Sequence, residues 1–126
     1  MQDEPTPIEL TKAVADFLRR DVTPMISGHN AFKLRVAINA LELVVRQLTL
    51  EEGSDAAESE RLSKLLGVEG ALLEQNRALA ERIAKGEVDL NTPGLAEHLW
   101  QTTMAKLAVD QPNYASYKRE LGRESK

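Results

Sequence analysis

The two histidines, His29 and His98, are the side chains of this sequence that titrate near neutral pH. A metal or di-metal site would need a second histidine, or a glutamate at the Glu-x-x-His spacing, and neither histidine has one. His29 falls in a predicted loop, where capping a helix or facing solvent is the simpler role. His98 falls within a predicted helix. The pattern therefore favours neither a metal role nor a catalytic role for either side chain.

Other catalytic signatures are missing from the sequence as well. Gly67 and Gly70 lie close together, but no Gly-Lys-Ser/Thr sequence follows them, so they do not form a phosphate-binding P-loop. There is no Gly-x-Ser-x-Gly elbow. The chain has no cysteine, which excludes disulfides, thiolate metal sites and a cysteine nucleophile. We predict that the chain is not an enzyme and has no catalytic residues, cofactor or metal of its own.

A group of polar residues on the predicted second helix is a candidate for partner binding. They fall within a wedge of about 60° on a helical wheel, between two apolar arcs. Glu42 precedes Arg46 by four residues, the favourable order for an intrahelical pair. Two interpretations stay open: a solvated stripe, or a polar seam through an interface. The group, called the seam below, consists of Arg35, Asn39, Glu42 and Arg46.

A second candidate group lies toward the end of the chain. Lys106 is followed four residues later by Asp110, and Tyr114 comes four residues after that. Lys106 is either a lysine that extends its amine to solvent and pairs with Asp110, or a groove lysine that contacts a partner carboxylate or a ligand phosphate. It shares a helix line with three residues expected to face the core or a groove: Leu95, Leu99 and Thr102.

The elements that must position these residues are predicted to be helices. Thr6 and Glu9 form a capping box with Pro7 at the first helical position, and this helix should end near Val22 because Pro24 disfavours helix at the preceding residue. Its apolar side is expected to consist of Leu10, Ala13, Val14, Phe17 and Leu18.

The second predicted helix runs from about Ala31 to Leu50, and a polar break at residues 51–55 separates it from a short third helix that ends at Leu66. Its main apolar arc is broad. A smaller second strip indicates a helix that packs between neighbours or lends one side to a partner. This strip consists of Phe32, Val36 and Leu43.

Three further segments complete the predicted fold. A fourth helix closes at Lys85 and Gly86 and carries Asn76, which we expect to be a hydrogen-bonded core amide. A fifth opens at residues 91–93 in the style of the first and runs to about Val109, and Asn113 can cap a last helical piece. No segment alternates with a period of two. We predict an all-α, single-domain bundle of about five helices over residues 1–126, with frayed tails at 1–5 and 122–126.

Composition excludes several classes of partner. The 126 residues carry a net charge of −4, with no basic cluster that would neutralise nucleic-acid phosphates or anchor the chain to a membrane. Asn39 and Glu42 interrupt the longest apolar stretch, so no membrane span is expected. The acidic N-terminus does not have the character of a signal peptide. We expect a cytoplasmic protein that binds neither nucleic acid nor membrane.

Three stretches of the sequence resemble a family of small bacterial proteins. They are QDEPT at residues 2–6, AFKLRVAINAL at 31–41 and AKLAVDQPNY at 105–114. Members of that family are encoded beside an aminoglycoside-phosphotransferase-like kinase and an acyl-CoA dehydrogenase-like protein. The nearest functional analogue is the small accessory subunit of the 4-hydroxyacyl-CoA kinase of levulinate catabolism.

The resemblance implies a non-catalytic subunit that binds and activates a hydroxyacyl-CoA kinase. The kinase would use ATP and magnesium, and the dehydrogenase-like enzyme is a possible second partner. The resemblance supplies no catalytic residues. The alternative is a free-standing helical bundle that binds an acyl ligand or forms a homo-oligomer.

Overall fold

The computed structural model describes residues 3–125, and the chain is all-α. Met1 and Gln2 of the expected N-terminal tail and Lys126 of the expected C-terminal tail lie outside this range. Within residues 3–125, no helix has the length and hydropathy needed to cross a bilayer. The prediction of about five helices is confirmed in that range by α1 Pro7–Phe17, α2 His29–Leu66, α3 Leu72–Ala84, α4 Leu95–Asp110 and α5 Ala115–Glu124.

The chain divides into two compact units, Met1–Leu50 and Glu51–Lys126, called the N-terminal unit and the C-terminal unit below. The boundary falls within α2, so this helix contributes to both units. The expected single domain stays a prediction. The C-terminal residues 122–124, expected to be frayed, belong to α5.

α1 begins as predicted and ends differently. The Thr6 hydroxyl accepts the Glu9 backbone N–H at 3.1 Å, and the Glu9 carboxylate accepts the Thr6 N–H at 3.1 Å. Beyond Phe17 the helical backbone continues as a π-helical segment, Leu18–Val22, and a 3-10 turn, Thr23–Met25. Pro24 does not stop the helix at Val22, because it lies at the start of the 3-10 turn, where a missing N–H removes no helical hydrogen bond.

The side of α1 that the sequence marks as apolar is turned outward. The buried position of α1 is Ala15, at 1% exposure. Leu10, Val14 and Phe17 are 44%, 50% and 56% exposed. Each lies roughly 100–160° around the helix axis from Ala15. Ala15 lines a pocket together with Glu42, Val45 and Arg46, so the side of α1 centred on Ala15 faces α2.

α2 is one helix of 38 residues, and the predicted break at residues 51–55 is wrong. Gly53 is helical, at a cost of about 1 kcal/mol relative to alanine, and good helix formers lie on both sides of it. The helix ends at Leu66, where the predicted third helix was expected to end, and Gly67 follows with a φ of 69°, the left-handed conformation typical of a C-terminal glycine. The Gly67 N–H donates to the Ser63 carbonyl at 2.8 Å.

Five buried side chains form the apolar core of the C-terminal unit. The half-buried residues Leu65, Val68, Leu72 and Ala78 pack around them. Val68 comes directly after the Gly67 turn, so the end of α2 is fixed by apolar contact as well as by backbone conformation. The five core residues are Leu62, Leu66, Leu79, Val88 and Leu95.

The starts of α4 and α5 differ from the prediction. Thr92 does not cap α4: its hydroxyl accepts the Asp89 N–H at 3.0 Å, and α4 starts after Gly94, which has a φ of 94°. Asn113 does not cap α5, because Tyr114 holds the N-cap position without a side-chain hydrogen bond. The predicted close of α3 is confirmed, with Lys85 at the C-cap and Gly86 at a φ of 74°.

Candidate functional site

The seam on α2 meets a cation from the segment that follows α1. The Arg19 guanidinium, on the π-helical segment, donates from Nε to Glu42 Oε1 at 3.0 Å and from Nη2 to Asn39 Oδ1 at 3.4 Å. The Arg19 and Glu42 side chains are 49% and 36% exposed, so the ion pair is worth at most about 1 kcal/mol. Two of the four seam residues, Asn39 and Glu42, therefore already have a hydrogen-bond partner, Arg19, within the same unit. The seam is not a fully solvated stripe.

The other two seam residues differ in their surroundings. Arg46 is half-buried and, together with Glu42, lines an open pocket of about 290 Å³ against α1. Lys12, Ala15 and Asp16 supply the α1 side of that pocket. Arg35 is exposed. Arg35 is thus the seam residue that a docking protein would reach most directly.

The second candidate group does not form the Lys106–Asp110 pair, one of the two alternatives that the sequence left open. Lys106 and Asp110 are both exposed, and no salt bridge joins them among residues 3–125. α4 buries Leu95 near its start and Met104 further along, and these two residues lie about 180° apart around the helix axis. The buried side of α4 therefore changes before Lys106, which lies on the same side as Leu95. Tyr114 is 53% exposed at the start of α5. These residues lie in the C-terminal unit and the seam lies in the N-terminal unit.

A polar cluster around His98 is the most enclosed arrangement of chemically active side chains in the C-terminal unit. His98 is only 3% exposed. Arg61 of α2 donates from Nε to His98 Nδ1 at 3.3 Å and from Nη2 to the Thr102 hydroxyl at 3.3 Å. The guanidinium thus holds together two side chains one turn apart on α4.

The contact with Arg61 determines the protonation state of the imidazole. A guanidinium can only donate, so Nδ1 accepts and the ring hydrogen is on Nε2. Burial lowers the pKa of His98 below its usual 6.5, and the Arg61 charge lowers it further, against a smaller opposing effect of Glu58. His98 is therefore a neutral hydrogen-bond donor at neutral pH.

An open pocket of about 210 Å³ adjoins this cluster. Arg61, His98 and Lys64 contribute polar groups to its wall, and Leu65 and Pro93 contribute apolar surface. No group of three or more histidine, aspartate or glutamate side chains in the described part of the chain has the geometry to hold a metal ion. The pocket has the donors to bind an anion.

A family model described as "Domain of unknown function (DUF6285)" matches residues 24–114. This match covers well over half of the chain. The chain belongs to the DUF6285 family. No curated protein and no solved structure matches it significantly.

The DUF6285 match includes α2, α3 and α4, and with them the seam and the His98 cluster. α1, which carries the outward-facing apolar side, precedes the matched region. The family description names no activity.

The buried polar residue on α3 is Gln75 rather than the predicted Asn76. Gln75 is 0% exposed; its Nε2 donates to the Val68 carbonyl at 2.8 Å and its Oε1 accepts the Ser59 hydroxyl at 2.7 Å. Asn76 is half-buried and donates to Glu58 Oε1 at 2.9 Å. A shift of one residue turns a helix by about 100°, so the stripe pattern was too coarse to separate these neighbours.

Sequence reasoning also missed the role of Arg61. Its partners lie 37 and 41 residues away along the chain, a separation that no helical spacing rule connects. The available signal was His98 itself, a histidine on a helix between apolar residues, which requires a hydrogen-bond partner if it is buried.

Proposed function

We propose that this protein is a non-catalytic accessory subunit that binds and activates a small-molecule kinase of the aminoglycoside-phosphotransferase-like type. The kinase would act on hydroxyacyl-CoA substrates in the cytoplasm, in the catabolism of levulinate-like 4-hydroxy acids, and would supply ATP and magnesium. The resemblance described above supports the identity of the partner. The exposed apolar side of α1 supports docking as the mode of action.

The outward side of α1 is the observation that carries the proposal. Leu10, Val14 and Phe17 repeat at spacings of four and three residues and lie on one side of the helix. All three are between 44% and 56% exposed, whereas the side that contacts α2 is centred on Ala15. An apolar stripe of this kind on a water-exposed helix is typical of a surface that a partner covers.

α2 adds a second exposed apolar strip within the same unit. Phe32 and Val36, one turn apart in the smaller apolar strip, are 55% and 52% exposed, and Leu43 of that strip is half-buried. A stable complex with the kinase would bury about 1,200–2,000 Å² in total, more than one helix side provides. We therefore place both α1 and the start of α2 in the proposed docking surface, with Arg35 close to it on α2.

A pair of matched variants tests the docking surface. Val14→Glu places a charge on the exposed side of α1, and glutamate has at least the helix propensity of valine, so α1 should still form. Leu73→Glu makes the same type of change on α3, where Leu73 is 62% exposed. We expect Val14→Glu to weaken kinase binding by at least about tenfold, as loss of a central contact does, and Leu73→Glu to leave it unchanged.

The measurement is a titration of each variant against an aminoglycoside-phosphotransferase-like kinase, the proposed partner, with kinase rate and thermal melting followed in parallel. If the kinase reaches its full rate alone and the two proteins elute separately, the proposal is wrong. Self-association of the chain that is lost in Val14→Glu would identify a second copy as the occupant instead. A co-purified acyl ligand in native mass spectra would support the acyl-binding alternative.

A further inference from the structure

The pocket beside His98 contains a guanidinium with unused donors. Arg61 is half-buried, and its two hydrogen bonds to His98 and Thr102 use two of its five N–H groups. Among residues 3–125, no carboxylate forms a salt bridge with it. A half-buried arginine with free donors at a pocket wall is an available site for an anion.

His98 supplies a second donor to the same pocket. Nδ1 is occupied by Arg61, and no hydrogen bond from Nε2 to the described residues exists. Every buried side-chain nitrogen or oxygen in the described part of the chain has a partner, so the Nε2–H lies at the small exposed part of His98. Since His98 lines the pocket, its remaining donor is available to an occupant.

The first turn of α4 adds a backbone donor at the rim. The Leu95 N–H reaches the Thr92 carbonyl and the His98 N–H reaches the Gly94 carbonyl, whereas the N–H group of Glu97, which lines the pocket, has no acceptor among residues 3–125. Unpaired N–H groups at a helix start carry partial positive charge, which favours a nearby anion.

The remaining wall determines the size and character of an occupant. Lys64 adds a cation, although it also pairs with Glu60 at 3.1 Å. Glu97 adds a carboxylate, which accepts a hydrogen bond from Gln101 Nε2 at 2.7 Å and leaves Arg61 unpaired. The volume of the pocket is about 210 Å³.

We propose that this pocket binds a small organic anion, a carboxylate or phosphate joined to a short apolar group. Arg61 Nη1, His98 Nε2–H and the first turn of α4 bind the charged head. Leu65 and Pro93 contact the apolar part. Binding at this site does not depend on the kinase, so it can succeed or fail independently of the proposed function.

The test is a titration of the full chain by NMR with butyrate, methyl phosphate and the neutral analogue butyramide, each at matched ionic strength. We expect butyrate or methyl phosphate to shift the His98 imidazole resonances and the Glu97 amide resonance. The imidazole of His29, exposed in the other unit, is an internal reference that should not move. A response to butyrate alone identifies a carboxylate site, and a response to methyl phosphate alone identifies a phosphate site.

Two variants at the rim of the pocket should change the anion affinity in opposite directions. Lys64→Gln should weaken anion binding by roughly two- to fivefold, and Glu97→Gln should strengthen it by a similar factor, since both change an exposed charge at the pocket. Lys118→Gln, an exposed lysine on α5 outside the pocket, is the matched control.

Three results would overturn the proposal. They are no shift with either anion, equal shifts with butyramide or sodium chloride, and affinities that do not respond to the rim variants.

Discussion

The two units of this chain bury their apolar side chains to very different extents. In the N-terminal unit, the buried residues within the described range are Ala15 and Ile38. Most of its larger apolar side chains remain partly or largely exposed on α1 and α2. The C-terminal unit has a continuous apolar core from α2 through α4, and it also buries Met104 and Tyr117.

The polar contacts of the C-terminal unit are also more buried than those of the N-terminal unit. In the C-terminal unit, Gln75 and His98 are buried and hydrogen-bonded, an arrangement that specifies a single packing when every group is satisfied. In the N-terminal unit, the contacts of Arg19 with Glu42 and Asn39 are exposed. One unit therefore carries its own apolar core, whereas the other leaves much of its apolar surface exposed.

The largest expected effect comes from truncating the same residue type in the two halves of α2. Leu62 is 0% exposed and Leu48 is 44% exposed. Leu62→Ala should lower the free energy of unfolding by about 2–5 kcal/mol, because it removes buried contacts and leaves a cavity. Leu48→Ala should cost less than about 1 kcal/mol.

Urea unfolding checks this pair, followed by circular dichroism and by the fluorescence of Trp100, the single tryptophan, which lies in the C-terminal unit. Equal losses for the two variants would mean that the N-terminal unit is as well packed as the C-terminal one, and the comparison would fail.

An intermediate effect is expected from pH. Burial and Arg61 lower the pKa of His98 in the folded chain below 6.5, so the unfolded chain binds a proton more readily. Neutral His98 therefore contributes its full stabilisation above pH 6.5. That contribution to the free energy of unfolding should decrease as the pH falls from 6.5 toward the lower pKa of the folded state. His98→Gln removes this dependence, because an amide does not titrate.

The measurement is the free energy of unfolding of the C-terminal unit at neutral and mildly acidic pH. The wild-type chain should lose more stability on acidification than His98→Gln. His29→Gln, at an exposed position of the other unit, should behave as the wild type does. The same acid sensitivity in all three chains would exclude His98 as the cause.

The smallest expected effect on stability is at Arg35 in the seam. Arg35→Glu should change the free energy of unfolding by no more than about 0.5 kcal/mol, because the side chain is exposed. If Arg35 lies in the docked face, the charge reversal should weaken kinase activation without a change in melting temperature. Unchanged activation would place Arg35 in solvent and confine docking to the apolar strips.

Local signals in the sequence determined much of the helical framework. The capping box at Thr6 and Glu9 and the glycine at Gly86 predicted a helix start and a helix end that the structure confirms. These signals succeed because their hydrogen bonds join residues within one turn of each other. The same reasoning failed at Gly53, because a glycine ends a helix only where the chain adopts a left-handed conformation, as it does at Gly67.

Only the tertiary structure decided which sides of the helices are buried. α1 has an apolar stripe and a side centred on Ala15, and the Ala15 side is the one that is buried and faces α2. The Arg61–His98 contact and the Ser59–Gln75 hydrogen bond join residues 37 and 16 positions apart. Helical periodicity reports only neighbours within one or two turns, so partners at these separations become visible only when the helices pack against each other.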